Sequence, residues 1–197
     1  MITQIYEVST REEARTISEI GVDHIGVLVG DCEFTRELPV EAATKVADGI
    51  ILQSKFSALF LTADISLVAQ WAGQLKPAIL HLGAAPELLS PDGVATLKAR
   101  LPGMLTMRCI PMIGEVSIDI ARSYKGICWT AIGRPPDRCS RQHSRPDHQP
   151  PHLRMVRPAG LDSRTRTDQD GAHRKDLDRM RRFLEAAKAG CAELTRQ

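Results

Sequence analysis

The sequence predicts an α/β fold in which short buried strands alternate with amphipathic helices. Apolar runs and amphipathic stretches succeed each other through residues 1–126 with a spacing of roughly twenty to thirty residues, which is typical of repeated βα units. The apolar runs are continuous, as expected for strands that are buried on both faces of a parallel sheet. Capping residues stand before several of the amphipathic stretches, and they mark the starts of helices.

The first two units carry the clearest signals. Residues 2–8 (ITQIYEV) predict a strand, and Thr10 with Glu13 forms a capping box for a helix that extends to Ile20 and is stopped by Gly21. Residues 24–29 (HIGVLV) predict the second strand, and residues 39–47 predict its helix, with a proline and an acidic residue in the first turn.

Three further units have the same order of strand and helix. Their predicted strands are residues 56–61, 78–82 and 105–112, and their predicted helices are residues 63–75, 90–101 and 114–124. Five consecutive units leave a barrel or a doubly wound sheet as the economical folds. A glycine-rich GxGxxG does not follow the first strand, which disfavours a dinucleotide-binding sheet.

Composition predicts one globular domain over residues 1–197, because 43% of the chain is apolar and 25% is charged. A net charge of +2 gives no reason to expect a nucleic-acid or membrane partner. The sequence has neither a signal-peptide pattern nor an apolar stretch of the ~20 residues that span a bilayer. Five scattered cysteines without a CxxC motif indicate reduced thiols. These features predict a soluble, cytoplasmic protein.

The βα pattern stops at a segment rich in proline, arginine and histidine, residues 134–158. Its prolines exclude a buried strand. Four interpretations stay open: a zinc site, a nucleic-acid-binding arm, a surface insert without regular structure, and a stretch read out of frame with loss of about two strands. The zinc ligands would be Cys139, His143, His148 and His152. Prolines 150 and 151 oppose the helix that such spacing needs, and no aromatic residue is interleaved for base stacking, so we expect neither a metal nor a nucleic acid here.

Regular order is predicted to return after residue 158, with a last helix over residues 175–189 that stops at Gly190. Several short motifs in the chain share their order and spacing with one enzyme family. Residues 4–29 (QIYEVSTREEARTISEIGVDHIGVLV) are similar to an opening KICG strand, a helix and a G-[AV]-D-x-[IL]-G strand. Phe34-Thr35-Arg36 stands where that family has an S-P-R motif, and residues 80–83 (LHLG) stand where it has Q-L-H-G. Residues 159–162 (AGLD) stand at the start of its G-x-D-x-S-S-G-x-E motif, and Lys175-Asp176 at its later K-D.

With these motifs the sequence resembles the phosphoribosylanthranilate isomerase family over residues 1–126 and 156–190. The resemblance implies a TIM-type (βα)8 barrel, here lacking or distorting strands six and seven. It also implies an Amadori rearrangement of N-(5-phosphoribosyl)anthranilate in tryptophan biosynthesis, with an acid, a base and no cofactor. The partner would be a phosphorylated small-molecule substrate, and the oligomeric state is left open.

The resemblance also assigns roles to individual residues. Arg36 matches the arginine that binds the anthranilate carboxylate. Tyr6 stands in place of the family's basic cysteine, and Glu7 is a substitute base, although side chains alternate along a strand and Glu7 should face away from Tyr6 unless the strand has ended. The family's strand-six acid falls within residues 127–134 (ICWTAIGR), which contain no carboxylate.

A phosphate site is expected in the loop after the eighth strand, where barrel enzymes often use backbone N–H groups. Its residues would be Gly160, Asp162, Ser163 and Arg164, converging with Arg36 on one anionic ligand. His81 is either a substrate ligand at a strand end or a packed core residue. Two functions follow: an isomerase, either active or impaired, or a non-catalytic barrel relative that binds a phosphorylated small molecule or a protein partner.

Overall fold

A computed structural model describes residues 2–111, 113–133 and 175–194 of the chain. Two compact units make up this structure. Among the described residues, the first unit holds 2–56 and 175–194, and the second holds 57–111 and 113–133. The single domain expected from composition stays a prediction.

Strands and helices alternate along the described chain. The strands are β1 (Gln4–Ile5), β2 (His24–Leu28), β3 (Lys55–Phe60), β4 (Ile79–Leu82), β5 (Leu105–Pro111) and β6 (Trp129–Gly133). The helices are α1 (Arg11–Ile20), α2 (Val40–Ala47), α3 (Ile65–Leu75), α4 (Pro91–Arg100), α5 (Val116–Ser123) and α6 (Leu177–Leu194). All five predicted βα pairs are therefore confirmed.

In the first unit, β1 and β2 pair in parallel, with Gln4 opposite His24. Thr10 caps α1, since its hydroxyl accepts the Glu13 N–H at 3.1 Å. The Glu13 carboxylate in turn accepts the backbone N–H of Ser9 at 3.1 Å. Gly21 ends the helix in the left-handed conformation, with a φ of 90°. The predicted helix start and stop are both confirmed.

The first strand is shorter than the predicted residues 2–8. Its extended conformation breaks at Glu7, which has a φ of 57°. The N–H of Val8 nevertheless donates to the Gly26 carbonyl at 3.1 Å, so backbone pairing with the second strand resumes after the break. Such an interruption behaves like a β-bulge, which re-aims the side chain that it carries. The direction of Glu7 is therefore not the one that strict alternation predicts.

In the second unit, β3, β4, β5 and β6 pair in parallel in the order of the chain. Asp64 caps α3 by accepting the N–H groups of Ser66 and Leu67, and Ser90 caps α4, with Pro91 in its first turn. The core of this unit consists of fully buried apolar side chains from its strands and helices. They include Leu80, Leu82, Val94, Leu97 and Ile110.

The sixth strand is retained. β6 lies in the segment where the sequence places strand six, and it pairs with β5 from Met107↔Trp129 to Pro111↔Gly133. A loss of this strand is therefore not observed, and the seventh strand falls outside the described residues. The irregular segment 134–158, with its zinc and nucleic-acid interpretations, also lies outside them.

The last helix corrects one prediction, because α6 does not stop at Gly190 but continues to Leu194. A glycine inside a helix costs only about 1 kcal/mol, and the packing of neighbouring turns can outweigh that cost. Met180 and Leu184 provide such packing, since both side chains are buried. Among the residues that the structure describes, no helix is long and apolar enough to cross a membrane.

A charged side chain lies inside the core of the second unit. Arg108 on β5 is fully buried, and its Nη1 donates to the Leu82 carbonyl at 3.0 Å. Its guanidinium also lies 5.5 Å from the centre of the Tyr124 ring, a cation–π distance. The Nε and Nη2 atoms have no hydrogen-bond partner in the described part of the chain. Burying a charge with so few partners opposes folding.

We expect the Arg108→Met substitution to increase the free energy of unfolding by about 1 kcal/mol, because methionine packs on the tyrosine ring without a charge to desolvate. Chemical denaturation at neutral pH measures this change. The matched control is Leu97→Ala in the same core, which should lose about 2–5 kcal/mol. A loss at Arg108→Met as large as that of the control would show that the charge has a stabilising partner.

Candidate functional site

The first unit brings two predicted site residues together. Glu7 follows β1, Arg36 lies in the loop between β2 and α2, and Nη1 of Arg36 donates to Oε2 of Glu7 in an ion pair. The side chains are 24% and 32% exposed, so the pair is shielded but reachable from solvent. The Nε atom of Arg36 is buried and has no hydrogen-bond partner among the described residues. Because the Arg36 side chain is 24% exposed, the part of the guanidinium that Glu7 does not contact can be reached by a planar anion such as a carboxylate.

Both members of this pair have left-handed backbones, with φ angles of 57° at Glu7 and 74° at Arg36. Such conformations cost about 1–3 kcal/mol for residues other than glycine, and they occur most often at functional sites. The first strand ends before Glu7. Side chains alternate strictly only within a strand, so Glu7 need not face away from Tyr6.

Tyr6 packs against the second strand. A Cβ atom placed on Gly26 would come 2.6 Å from Cδ1 of the Tyr6 ring, so the ring lies directly on this glycine. The tyrosine hydroxyl oxygen is buried. Tyr6 therefore occupies the end of β1 as predicted, with its ring fixed by Gly26.

A second cation joins the pair from the start of the last helix. The backbone N–H of Lys175 donates to Oε1 of Glu13 at 2.8 Å. Burial of the ammonium lowers the pKa of Lys175, and Arg36 acts in the same direction, while Glu7 and Glu13 act against it. Lys175 thus shares an electrostatic environment with the predicted site. In the sequence, Lys175 stands out only as part of the K-D match, which assigns it no role.

The loop between β2 and α2, which carries Arg36, also contains a buried acid that the sequence motifs did not indicate. Glu37 is 7% exposed, and its carboxylate accepts the N–H of Phe34 at 3.1 Å. Burial raises the pKa of Glu37, and the negative charges of Glu33 and Asp31 add to the rise, whereas hydrogen bonds from the backbone of Phe34 and Glu33 oppose it. Acidic residues in a loop are usually solvated, so the residue type does not suggest that Glu37 is buried. Only Gly30, just after the second strand, could have indicated it, because a glycine leaves room for another side chain.

The second unit holds His81, whose Nε2 lies 2.9 Å from Sγ of Cys109 on the neighbouring strand. His81 is buried, and burial together with the charge of Arg108 lowers its pKa to about 3. The imidazole is therefore neutral at physiological pH, which suits a packed core residue. Its role as a substrate ligand stays a prediction.

The predicted phosphate-binding residues, Gly160, Asp162, Ser163 and Arg164, lie outside the described residues, and so does their predicted convergence with Arg36. Within the ranges described, no group of three or more His, Cys, Asp or Glu side chains could hold a metal ion. Cys32, Cys109 and Cys128 form no disulfide bond within the described residues.

A cavity of about 280 Å³ opens in the second unit, beside Lys98, Leu105 and Cys128. It lies at the start of β5 and just before β6, hence at the amino ends of these strands. Barrel enzymes place their active sites at the carboxyl ends, so this cavity is not our candidate site.

We expect the Glu37→Gln substitution to increase the free energy of unfolding at pH 7, because a neutral amide avoids the cost of a buried charge. The raised pKa means that the folded chain binds a proton at Glu37 more tightly than the unfolded chain does. The penalty of the native carboxylate therefore grows as pH rises through this range and disappears at lower pH. Urea denaturation from pH 4 to 8 tests this, with the exposed Glu87→Gln as control. A constant difference across this range would contradict it.

We expect His81→Leu to flatten the acid side of the stability profile. Between pH ~6.5 and the native value of about 3, the unfolded histidine binds a proton and the buried one does not. As pH falls through this window, the free energy of unfolding of the unchanged protein should therefore decrease by ~1.4 kcal/mol for each pH unit. The variant should lack this decrease. Denaturation of both proteins from pH 7 to 4 measures it. Equal slopes would contradict the neutral buried imidazole.

Comparison with known proteins gives matches among solved structures. No protein-family model matches the chain, and no curated protein sequence does. Phosphoribosylanthranilate isomerase from Thermotoga maritima matches with a TM-score of 0.53 and 16% identity, over 68% of this chain and 63% of that one. The isomerase from Thermococcus kodakaraensis matches with a TM-score of 0.52 and 16% identity, over 63% and 60%.

A third isomerase structure, in complex with reduced 1-(o-carboxyphenylamino)-1-deoxyribulose 5-phosphate, matches with a TM-score of 0.51 and 16% identity, over 64% of this chain and 61% of that one. The chain thus spans about three fifths of the length of the structures that it matches. At these identities the matches establish the fold: the described βα units and parallel strands are those of TIM-type phosphoribosylanthranilate isomerase structures, over part of their length.

Proposed function

We propose that this protein is an isomerase of the phosphoribosylanthranilate type, with activity reduced by changes at its catalytic positions. The observation that supports this proposal is the Arg36–Glu7 pair. It stands at the ends of the first two strands, on strained backbone, in a chain that has the fold of these isomerases. In barrel enzymes the loops that follow the strands carry the catalytic groups.

In the proposed site, Arg36 binds the anthranilate carboxylate through the part of its guanidinium that Glu7 does not occupy. Glu7 is the base that removes the proton from C2 of the opened sugar, and Tyr6 is a hydrogen-bond donor. An acid protonates the ring oxygen and C1 gains a proton, so the rearrangement moves protons only and needs no cofactor. Of the two predicted roles of His81, substrate ligand and packed core residue, its 1% exposure favours the core residue.

The substrate phosphate would be bound by the loop after the eighth strand, through backbone N–H groups and the side chains predicted there. The proposed residues are Gly160, Asp162, Ser163 and Arg164. One related structure contains a phosphorylated ligand, the reduced carboxyphenylamino-deoxyribulose phosphate, which supports a phosphorylated substrate for this chain. A cytoplasmic location is proposed from the sequence alone, because its five cysteines are scattered and form no CxxC motif.

Two replacements support reduced activity. A phenol with a reference pKa of ~10 is a weaker base at neutral pH than a thiol near ~8.5, so Tyr6 cannot do the work of the family's cysteine equally well. Residues 127–134 contain no carboxylate that could serve as the acid. These same replacements favour the second candidate, a non-catalytic relative that binds a phosphorylated small molecule or a protein partner.

We expect Arg36→Ala to weaken binding of reduced 1-(o-carboxyphenylamino)-1-deoxyribulose 5-phosphate about tenfold or more, because a charge-assisted hydrogen bond contributes about 1.5–3 kcal/mol. Glu7→Gln should keep binding but lower kcat by at least ~100-fold, as expected for a lost base. Calorimetry and turnover assays measure the two effects. Arg15→Ala, which removes an exposed arginine of α1, is the control.

Complementation separates the two candidate functions. Expression in a tryptophan auxotroph that lacks this isomerase should restore slow growth without tryptophan if the protein is an enzyme. Binding of the analogue without growth would support the non-catalytic relative. Neither binding nor growth would contradict the isomerase and the small-molecule form of the second candidate, and would leave only a protein partner.

A further inference from the structure

We propose that Glu37 is a positioning residue for Arg36: its buried carboxylate holds the left-handed turn that places the guanidinium opposite Glu7. The role of Arg36 as a ligand-binding residue rests on the proposed function, whereas the contacts of Glu37 do not.

Phe34, Thr35, Arg36 and Glu37 form a four-residue turn, closed by the N–H of Glu37, which donates to the Phe34 carbonyl at 3.2 Å. Arg36 is the third residue and has a φ of 74°. Turns with this conformation at the third position favour glycine or asparagine. An arginine there is strained, and it stays in place only if its surroundings fix the turn.

Glu37 supplies that constraint from both ends of the turn. Its backbone N–H binds the Phe34 carbonyl, and its carboxylate accepts the Phe34 N–H at 3.1 Å. The next residue is tied to the second strand, because Leu38 donates to the Leu28 carbonyl at 2.9 Å and accepts from Gly30 at 3.1 Å. The turn is thereby anchored to β2 immediately after the residue that needs support.

The carboxyl group has a place prepared for it at Gly30. A Cβ atom on Gly30 would lie 2.3 Å from the carboxyl carbon of Glu37 and about as close to both of its oxygens. Any larger residue at position 30 would therefore expel the carboxylate from its position. Gly30 and Glu37 act as one unit, in which the missing side chain makes room for the buried acid.

The charge of Glu37 is costly where it lies. Two acidic neighbours, Asp31 and Glu33, repel it, and in the described part of the chain no ion pair reaches it. A neutral residue would fold more easily, so the acid is better explained by what it holds than by stability. What it holds is the backbone on either side of Arg36.

The test is a thermodynamic cycle on binding of the same phosphorylated analogue. Glu37→Ala should weaken binding about tenfold in the otherwise unchanged chain, and by less than about twofold when Arg36 is already alanine. Glu37→Gln should restore most of the affinity, since its amide oxygen can still accept the Phe34 N–H. Glu87→Ala, which removes an exposed acid that does not interact with Glu37, is the control and should have no effect.

Equal losses in both backgrounds would mean that Glu37 supports the fold in general, and would overturn the proposal. If the unchanged protein does not bind the analogue, the proposed function fails, but the positioning role of Glu37 is still testable by a second measurement. NMR of the Arg36 guanidinium should then show a shift on Glu37→Ala and none on Glu87→Ala. An unshifted Arg36 signal with a folded spectrum would overturn the proposal without reference to any ligand.

Discussion

The ion pair between Glu7 and Arg36 is the interaction on which the candidate site depends. It joins the end of the first strand to the loop after the second, and each partner reaches the other from a left-handed backbone. Parallel strands bring their carboxyl ends to one edge of a sheet, so two consecutive βα units suffice to bring these side chains together. The buried Glu37 and the ring of Tyr6 on Gly26 then fix the surroundings of the pair.

Much of the fold was predictable because its signals are local. Thr10, Asp64 and Ser90 satisfy the first N–H groups of their helices, and Gly21 provides the left-handed stop. Apolar runs identified the buried strands because both faces of a parallel sheet need cover. Gly190 misled the prediction because a helix end is a balance between a small local cost and packing, and only the local cost is visible in a sequence.

The site was less predictable because its determinants are not local. Nothing in the sequence ITQIYEV marks the left-handed residue at position 7, and this residue decides where the carboxylate of Glu7 points. In the sequence, Glu37 does not differ from a solvated acid in a polar loop. Its burial becomes evident only from the structure, where its carboxyl group lies against Gly30. His81 shows the converse, since a histidine at a strand end suggests a ligand, whereas burial and a nearby arginine keep it neutral.

Strain and an unpaired buried charge meet in one short loop. Left-handed residues also occur at Glu7 and Leu52 in the first unit, but between Gly30 and Leu38 a left-handed arginine adjoins a buried carboxylate. Natural sequences break local rules mainly where function requires it. A loop that had lost all function would be expected to drift towards glycine at position 36 and a neutral residue at position 37, because both changes relieve a cost. The presence of both costly residues in the same turn is therefore better explained by the proposed binding role of this loop than by stability.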